Sequence, residues 1–169
     1  SSEAADALRL ATKGRGEISI VDPLDEGRVT RTLDALVRRR SGKNDGEEAL
    51  RAMAEDPLFQ AGVMVAGGEA DGAVAGCVRT TSDVARAGLV CIGLADGIRT
   101  VSSSFYMVFD HAHRVGPQVL TFTDAGVVPE PTADQLGQIA VSAVGARELV
   151  VGDQPRVAFL SYSTKGSAE

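Results

Sequence analysis

The stretch VAGGEADGAVAGCVRTTSDVARAGL, residues 65–89, contains the signals of a turn, a strand and a helix in succession. Its glycine-rich, acidic beginning predicts a turn, and the apolar run GAVAGCV (72–78) predicts a short buried strand. The following SDVARAGLVCIGLA predicts a helix that is capped by Ser82 or Asp83. A strand that leads through a polar loop into a helix is the repeating unit of α/β folds, so this stretch indicates that fold class.

The same alternation of strands and helices continues on both sides of this stretch. The predicted strands are EISIV (17–21), GIRTVSSSFYMVF (97–109, entered at Thr100), QVLTFTDAGVV (118–128) and RVAFLSYS (156–163). The predicted helices are DEGRVTRTLDALVRRR (25–40), GEEALRAMAED (46–56), PLFQAGVMVAGG (57–68) and PTADQLGQIAVSAVGARELV (131–150). This order predicts an α/β protein with a parallel or mixed sheet that is covered by helices on its faces.

Particular residues are expected to begin and to end these helices. Asp45 is a candidate cap for the helix at 46–56, Pro57 is expected to begin the next helix, and two glycines are expected to end it. Thr132 is expected to cap the last helix. The residues predicted to form the apolar face of that helix are Leu136, Ile139, Ala140, Ala143 and Val144.

The composition excludes several classes of function. The 169 residues are 44% hydrophobic and only 4% aromatic, which predicts an aliphatic core, and the net charge of −6 argues against binding nucleic acid through bulk electrostatics. An anionic ligand is still compatible with a local positive pocket. No apolar run approaches the about 18 residues of a membrane span, and the first residues do not resemble a signal peptide. Cys77 and Cys91 lie in apolar segments and are predicted to be small buried side chains.

The two ends of the chain suggest a part of a longer protein. The sequence starts without Met, and it ends where a predicted strand enters a loop. In an α/β unit a helix normally follows at that point. We therefore expect this chain to be a piece of a longer protein.

Three loops follow predicted strands, and loops at the carboxyl ends of strands hold the ligands of open α/β sheets. The loop RTTSD (79–83) leads into a helix, so the hydroxyls of Thr80 and Thr81, the free amides of the helix start and Arg86 would suit a phosphate. A plain capped helix with a surface arginine explains the same residues.

The other two loops leave similar alternatives open. SYSTKGS (161–167) combines three hydroxyls, a lysine and a glycine, and is either a second phosphate-binding loop or a polar surface turn; it lacks the Walker spacing. Asp124, in TDAG (123–126), either orients a ligand or satisfies backbone amides of its own turn.

Two further clusters are weaker candidates for a site. DHAH (110–113) suggests a metal, but no third, remote histidine accompanies it, and an exposed loop is favoured. The basic run VRRRSGK (37–43) is interpreted as a solvated helix end from which Arg39 or Arg40 might reach a ligand. We find no Ser-His-Asp or Cys-His constellation.

Several segments together resemble the phosphate acetyltransferase (phosphotransacetylase/phosphobutyryltransferase) family, in the order and spacing of that family. They are DPLFQAGVMVAGGEADGAVAGCVRTTSDVARAGL, GIRTVSSSFYM, FTDAGVVPEPTADQLGQIA and PRVAFLSYSTKGSA. The resemblance is close over residues 56–168 and loose over the first 55. Its most specific motifs are GEADG, TT-x-D-x-x-R, TVSS and the ending SYSTKGS.

The resemblance implies reversible transfer of an acetyl group between coenzyme A and phosphate, with acetyl phosphate as the other product. It also implies a three-layer α/β/α, isocitrate dehydrogenase-like fold with two lobes, here residues 1–99 and 100–169, and an active-site cleft between them. A cytoplasmic homodimer without metal or cofactor, apart from coenzyme A as substrate, is expected. By motif match the substrate-binding residues would be Thr80, Thr81, Arg86, Ser102, Ser103, Asp124, Ser161, Ser163, Thr164, Lys165 and Gly166.

The chain also departs from the family. The Ser-Arg pair and the following Asp that carry the thiol-activating step lie far toward the C-terminus of the family, and no segment here matches them, so the catalytic residues stay unknown. Ala125 stands where many members have Cys. The alternatives are a phosphate butyryltransferase, a non-catalytic acetyl-CoA-binding module of the kind attached to malic enzymes, and a purely structural assembly domain.

Overall fold

The structure is a computed structural model that describes residue 10 and residues 18–109 and 119–160. The chain divides into two compact units, Ser1–Gly93 and Leu94–Glu169. The division into lobes at residues 99 and 100 stays a prediction about the longer fold. The described elements are α1 (Glu26–Arg39), α2 (Glu47–Glu55), α3 (Pro57–Ala66), α4 (Thr81–Cys91), β1 (Ser104–Val108), β2 (Val119–Thr123) and α5 (Ala133–Val150).

The first unit is built from α1 to α4, which pack around a small aliphatic core. Its buried side chains are Val29, Leu36, Ala54, Phe59, Ala87 and Cys91. Inside this core the side-chain amide of Gln60 donates hydrogen bonds to the carbonyl oxygens of Pro23 (2.7 Å) and Ala54 (2.8 Å). Because a buried amide without partners would be costly, these bonds fix α3 to the segment before α1 and to the end of α2.

Helices α3 and α4 approach each other closely at Gly62. A Cβ atom at this position would lie 2.8 Å from the Cβ atom and 3.1 Å from the Sγ atom of Cys91. The buried Cys91 thiol donates to the carbonyl oxygen of Phe59, one turn before Gly62, at 3.5 Å. The absence of a side chain at Gly62 therefore permits the contact that joins α3 to α4.

Most of the predicted helix ends are confirmed. Asp25 caps α1 by accepting from the amide of Arg28 at 2.9 Å, and Arg38 and Arg39 occupy its last turn. Pro57 is the first residue of α3, after the cap Asp56, and Gly67 ends that helix. Thr132 caps α5 in a capping box with Gln135.

Two predicted caps are wrong. Gly46, and not Asp45, is the N-cap of α2, because Asp45 instead makes a two-pronged ion pair with Arg40, including an Nη2–Oδ1 distance of 2.9 Å. A bidentate charged pair is stronger than a single bond from a helix amide. The cap of α4 is Thr80 rather than Ser82 or Asp83, although Asp83 completes the capping box at the third helical position.

Three predicted strands are not formed among the described residues. Residues 18–21, 72–78 and 156–160 have no strand structure, and Val74 and Val78 are almost fully exposed. The prediction that Cys77 is buried is also wrong, because it lies in the exposed 72–78 segment. An apolar run becomes a strand only beside a partner that accepts its backbone hydrogen bonds, and no described strand runs alongside these segments.

The second unit consists of β1, β2 and α5. The two strands pair antiparallel with Phe105 opposite Phe122 and Met107 opposite Leu120. This mixed α/β structure confirms the predicted class, whereas its sheet, within the part of the chain that the structure describes, is a small antiparallel one. Alternation along the strands puts Phe105, Met107, Leu120 and Phe122 on one face of the sheet, and all four are exposed.

Helix α5 is tied to β2 by Arg147. Its guanidinium donates to the Thr121 hydroxyl at 2.9 Å and to the Val119 carbonyl oxygen at 3.1 Å, and it pairs with Asp153. A groove of about 630 Å³ lies between β2, the predicted apolar face of α5 and residues 153–160. None of the described helices is both long and apolar enough to cross a membrane.

Candidate functional site

The first candidate site is the start of α4, where the threonines of RTTSD lie. Thr80 and Asp83 form a reciprocal box: the amide of Asp83 donates to Thr80 Oγ1 at 3.2 Å, and the amide of Thr80 donates to Asp83 Oδ2 at 3.2 Å. The Thr80 hydroxyl also donates to Asp83 Oδ2 at 2.8 Å. Because a helix start has four amides without helical partners, the box leaves those of Thr81 and Ser82 available to an anion.

Arg86 lies one turn into α4, on the same helix as this pair of free amides. It is exposed, and its guanidinium makes no hydrogen bond or ion pair with any residue that the structure describes. The neighbouring Arg79 differs, because it pairs with Asp56 at 2.9 Å. The start of α4 therefore has the exposed Thr81 and two amides without a described partner, and the same helix carries the unpaired Arg86. These are the groups that the sequence predicts for a phosphate.

Asp83 is the acidic group that lies closest to this arrangement in the sequence. The hydroxyl and the amide of Thr80 lower the pKa of Asp83, and the charges of Arg79 and Arg86 lower it further. The carboxylate is therefore ionised at neutral pH, and it adds a negative charge to the helix start. An anion bound at Thr81 and Ser82 has to share the helix start with it.

The second candidate site is the pair of turns at one end of the β1–β2 sheet. Asp124, just after β2, accepts hydrogen bonds at Oδ1 from the amide of Ser103 (2.7 Å) and its hydroxyl (2.9 Å). Its Oδ2 atom accepts from the amides of Val127 (2.8 Å) and Val128 (2.7 Å). The peptide bond between Thr123 and Asp124 is cis. Through its hydrogen bonds, the carboxylate of Asp124 joins the turn before β1 to the turn after β2.

These bonds decide the ionisation of Asp124. Desolvation by partial burial acts to raise its pKa, but the hydrogen bonds from Val128, Ser103 and Val127 outweigh it and lower the pKa to about 2. Asp124 is therefore a fixed negative charge at neutral pH. Of the two interpretations left open by the sequence, the structure places the carboxylate on backbone amides.

Ser102 differs from its neighbour. It is half-buried, and its hydroxyl makes no hydrogen bond with the described residues, whereas both functions of Ser103 are engaged. Just before it, the Thr100 hydroxyl donates to Gln138 Oε1 on α5 at 3.0 Å, and the amide of Arg99 donates to the same atom at 3.2 Å. Gln138 therefore holds the segment that leads into the serine turn.

The structure does not describe every predicted site residue. Ser161, Ser163, Thr164, Lys165 and Gly166 lie outside the described residues, as does the DHAH segment (110–113). In the described ranges no group of three or more His, Cys, Asp or Glu side chains could hold a metal. Arg39 and Arg40 are engaged elsewhere, Arg39 with the carbonyl oxygen of Ile92 at 3.0 Å and Arg40 with Asp45.

Known proteins resemble this chain in both sequence and structure. The sequence matches the family described as Phosphate acetyl/butaryl transferase over residues 2–169. The chain belongs to this family. It is 39% identical to a phosphate acetyltransferase of Acetivibrio thermocellus over 152 residues, which are 90% of this chain and 46% of that protein. With a phosphate acetyltransferase of Paracoccus denitrificans it shares 39% identity over 98% of this chain and 53% of the relative.

Solved structures give the same relationship. A phosphotransacetylase from Streptococcus pyogenes superposes with a TM-score of 0.76 at 27% identity, covering all of this chain and 50% of the other. The EutD phosphotransacetylase from Staphylococcus aureus gives 0.73 at 28% identity, covering all of this chain and 49% of the other. The chain spans about half the length of each of these four proteins.

Proposed function

We propose that the protein containing this chain is a phosphate acetyltransferase, which moves an acetyl group between coenzyme A and phosphate. Membership of the family carries the proposal, because the relatives named above are phosphate acetyltransferases. The start of α4 supports it, since Arg86 and the amides of Thr81 and Ser82 are free for an anion of the size of phosphate. The proposed substrates are acetyl phosphate, coenzyme A, acetyl-CoA and phosphate.

The reaction divides into tasks that this chain and the rest of the protein would share. The thiolate of coenzyme A attacks the carbonyl carbon of acetyl phosphate, the carbon–sulfur bond forms, and the carbon–oxygen bond to phosphate breaks with its electron pair on the leaving phosphate. Arg86 and the two amides would stabilise the negative charge of that phosphate. A general base has to take the thiol proton. We assign this base to the half of the family's sequence that this chain does not cover.

The remaining expectations of the resemblance are proposals for the longer protein. They comprise the three-layer arrangement with a parallel sheet, the homodimer and the cytoplasmic location. We further propose that the reaction needs no metal or cofactor, because the thiol and the acyl phosphate bring the reacting groups themselves. Ser161, Ser163, Thr164, Lys165 and Gly166 are proposed to contact the same substrates by their match to the family motif.

The deciding experiment follows thioester absorbance with acetyl phosphate and coenzyme A, using the longer protein and its Arg86→Ala variant. We expect the unaltered protein to turn over. The variant should have a lower kcat/KM, by an amount that corresponds to about 2–4 kcal/mol of lost transition-state stabilisation, as for removal of a charged donor at a reacting group. An unchanged kcat/KM for Arg86→Ala would show that Arg86 at the start of α4 does not bind the phosphate.

A matched control is Arg51→Ala in the same unit. Arg51 is also exposed, but its guanidinium pairs with Glu26 at 3.1 Å and with Glu55 at 3.0 Å. Its removal should leave kcat/KM unchanged, since exposed ion pairs contribute little. Measurable acetyl-CoA binding without turnover in the unaltered protein would instead identify a non-catalytic acetyl-CoA-binding module.

A further inference from the structure

Two backbone segments of the second unit line the same groove, and each lacks a neighbouring strand there. The groove of about 630 Å³ is bounded by β2, the apolar face of α5 and residues 153–160. β2 pairs with β1 along one edge, and no described strand pairs with its other edge. The backbone groups of residues 154–160 make no hydrogen bond with any residue in the described ranges. Both segments are therefore open positions for a further strand.

The alternation along β2 indicates which of its residues open onto the groove. Arg147 lines the groove, and its guanidinium donates to the Val119 carbonyl oxygen at 3.1 Å, so this carbonyl is directed toward the groove and away from β1. Alternate residues of an antiparallel strand direct their backbone groups to the same side. The N–H and C=O groups of Thr121 and Thr123 are therefore directed to the free edge as well.

The other end of the β1–β2 ladder has the same alternation. The Ser103 carbonyl oxygen accepts from the amide of Ala125 at 3.2 Å, so Ser103 is directed toward the second strand. Phe105 lies two residues later, is directed the same way and is opposite Phe122. Phe122 therefore bonds to β1, which leaves the residues on either side of it for the free edge.

The side chains around the groove suit an apolar strand. Ile139 and Ala143 of α5 are buried and line the groove beside β2. Residues 156–160 (RVAFL) have the composition of a strand, and their apolar side chains Val157, Phe159 and Leu160 are all exposed. A strand in the groove would cover these side chains and would bury its own apolar residues against α5.

We infer that a β-strand from the half of the family's length that this chain does not cover enters the groove, between the free edge of β2 and residues 156–160. The relatives described above are about twice as long as this chain, so the longer protein has the segment to supply. A small ligand could fill the apolar space, but it would leave the row of backbone groups unpaired. A strand of the same chain also avoids the loss of translational freedom that a separate partner incurs.

The test measures hydrogen exchange of single amides in the longer protein. We expect the amides of Thr121 and Thr123 to exchange roughly tenfold or more slowly than unpaired amides, because each would be bonded to the entering strand. Two alternate amides within residues 157–160 should be protected as well. The amides of Leu120 and Phe122 are the internal standard, since their bonds to β1 protect them whether or not a strand enters.

Two variants of α5 form a matched pair. Ala140 lines the groove, whereas the neighbouring Val141 is exposed and does not line it. A phenyl ring at position 140 would occupy the space of the strand, so Ala140→Phe should speed exchange at Thr121 and Thr123 roughly tenfold or more. Val141→Phe should leave it unchanged. If Ala140→Phe does not fold, exchange in the unaltered protein still decides the inference.

Three results would overturn the inference. Thr121 and Thr123 amides that exchange as fast as unpaired ones would show that the edge of β2 stays open. Protection that is lost on dilution would show that a second copy of the protein occupies the groove. Protection that appears only after coenzyme A is added would identify a small ligand there instead. The exchange measurement needs no turnover, so a failure of the proposed acetyl transfer would leave its result unaffected.

Discussion

At the scale of single residues, Asp124 shows how backbone amides control a carboxylate. Its pKa is lowered from the ordinary value of 3.8 to about 2, so its stabilising effect is complete above the unfolded value and is lost as the pH falls toward 2. We expect unfolding by urea, followed by circular dichroism, to show that the stability advantage over Asp124→Asn shrinks by about 2 kcal/mol between pH 5 and pH 2. An advantage that stays constant over this range would contradict the hydrogen bonding described for Asp124.

The two cysteines should differ sharply in reactivity. Cys91 is fully buried, and desolvation raises the pKa of its thiol to about 11, whereas Cys77 is exposed. Because the thiolate is the reactive form, a maleimide should label one thiol in the folded chain and the second only after unfolding. Cys77→Ser should abolish the fast reaction, and rapid labelling of two thiols under native conditions would disagree with the buried position of Cys91.

At the scale of secondary-structure elements, the contact between α3 and α4 depends on Gly62. In Gly62→Ala the new methyl group would lie 2.8 Å from Cys91 Cβ, and we expect destabilisation by about 1–2 kcal/mol after the gain in helix propensity is subtracted. Gly88→Ala on α4 is the matched control, because its added Cβ meets no atom within 4 Å apart from its chain neighbours and the backbone of its own helix, and it should stabilise the chain by about 0.5–1 kcal/mol. Urea unfolding of both variants tests this, and the same sign for both would refute the close packing.

The elements also show what a sequence can and cannot predict. The starts of α3 and α5 follow from local signals, Pro57 and Thr132, and these predictions are confirmed. The range predicted for α1 is confirmed to within one residue at each end. A strand depends on a distant partner, so the strand predicted at 72–78 is wrong although its apolar pattern is clear. Likewise, Asp45 is predicted as a cap, but the helix begins one residue later, with Gly46 as its N-cap, and Asp45 pairs with Arg40 instead.

In the candidate sites too, the sequence predicts contacts between residues that are close along the chain, but not those between distant residues. Thr80, Thr81 and Arg86 lie within one turn and one helix, so the sequence predicts their association, and the structure confirms that they share the start of α4. Ser103 and Asp124 are 21 residues apart, and no spacing in the sequence indicates that they are bonded. The contact of both residues with a ligand stays a prediction. The alternative for Asp124, that it satisfies backbone amides of its own turn, agrees with its bonds to Val127 and Val128.

At the scale of the whole molecule, the β1–β2 sheet leaves one of its apolar faces exposed to solvent. Phe105 and Phe122 are paired in register and remain 61% and 51% exposed, next to Met107 and Leu120. We expect the 169-residue chain, expressed alone, to bind an apolar fluorescent dye, because contiguous apolar surface of this kind attracts such probes.

Variants of this face provide the measurement. Phe105→Thr with Phe122→Thr should reduce dye fluorescence without loss of helical circular dichroism, since threonine is well accommodated in strands. Val78→Thr removes an even more exposed apolar side chain that lies outside the sheet, and it should change the fluorescence little. Fluorescence that persists at full strength in the double variant would show that the dye binds elsewhere.

The capping box at α4 has a consequence for the lifetime of a bound phosphate. A phosphate held as proposed by Thr81, Ser82 and Arg86 shares the helix start with the ionised carboxylate of Asp83, which Thr80 keeps in place. Repulsion between the two anions would speed the departure of the phosphate. The carboxylate that causes this repulsion is also the one that completes the capping box of the helix. The proposed acetyl transfer would need such release, since phosphate would be the product of one direction and the substrate of the other.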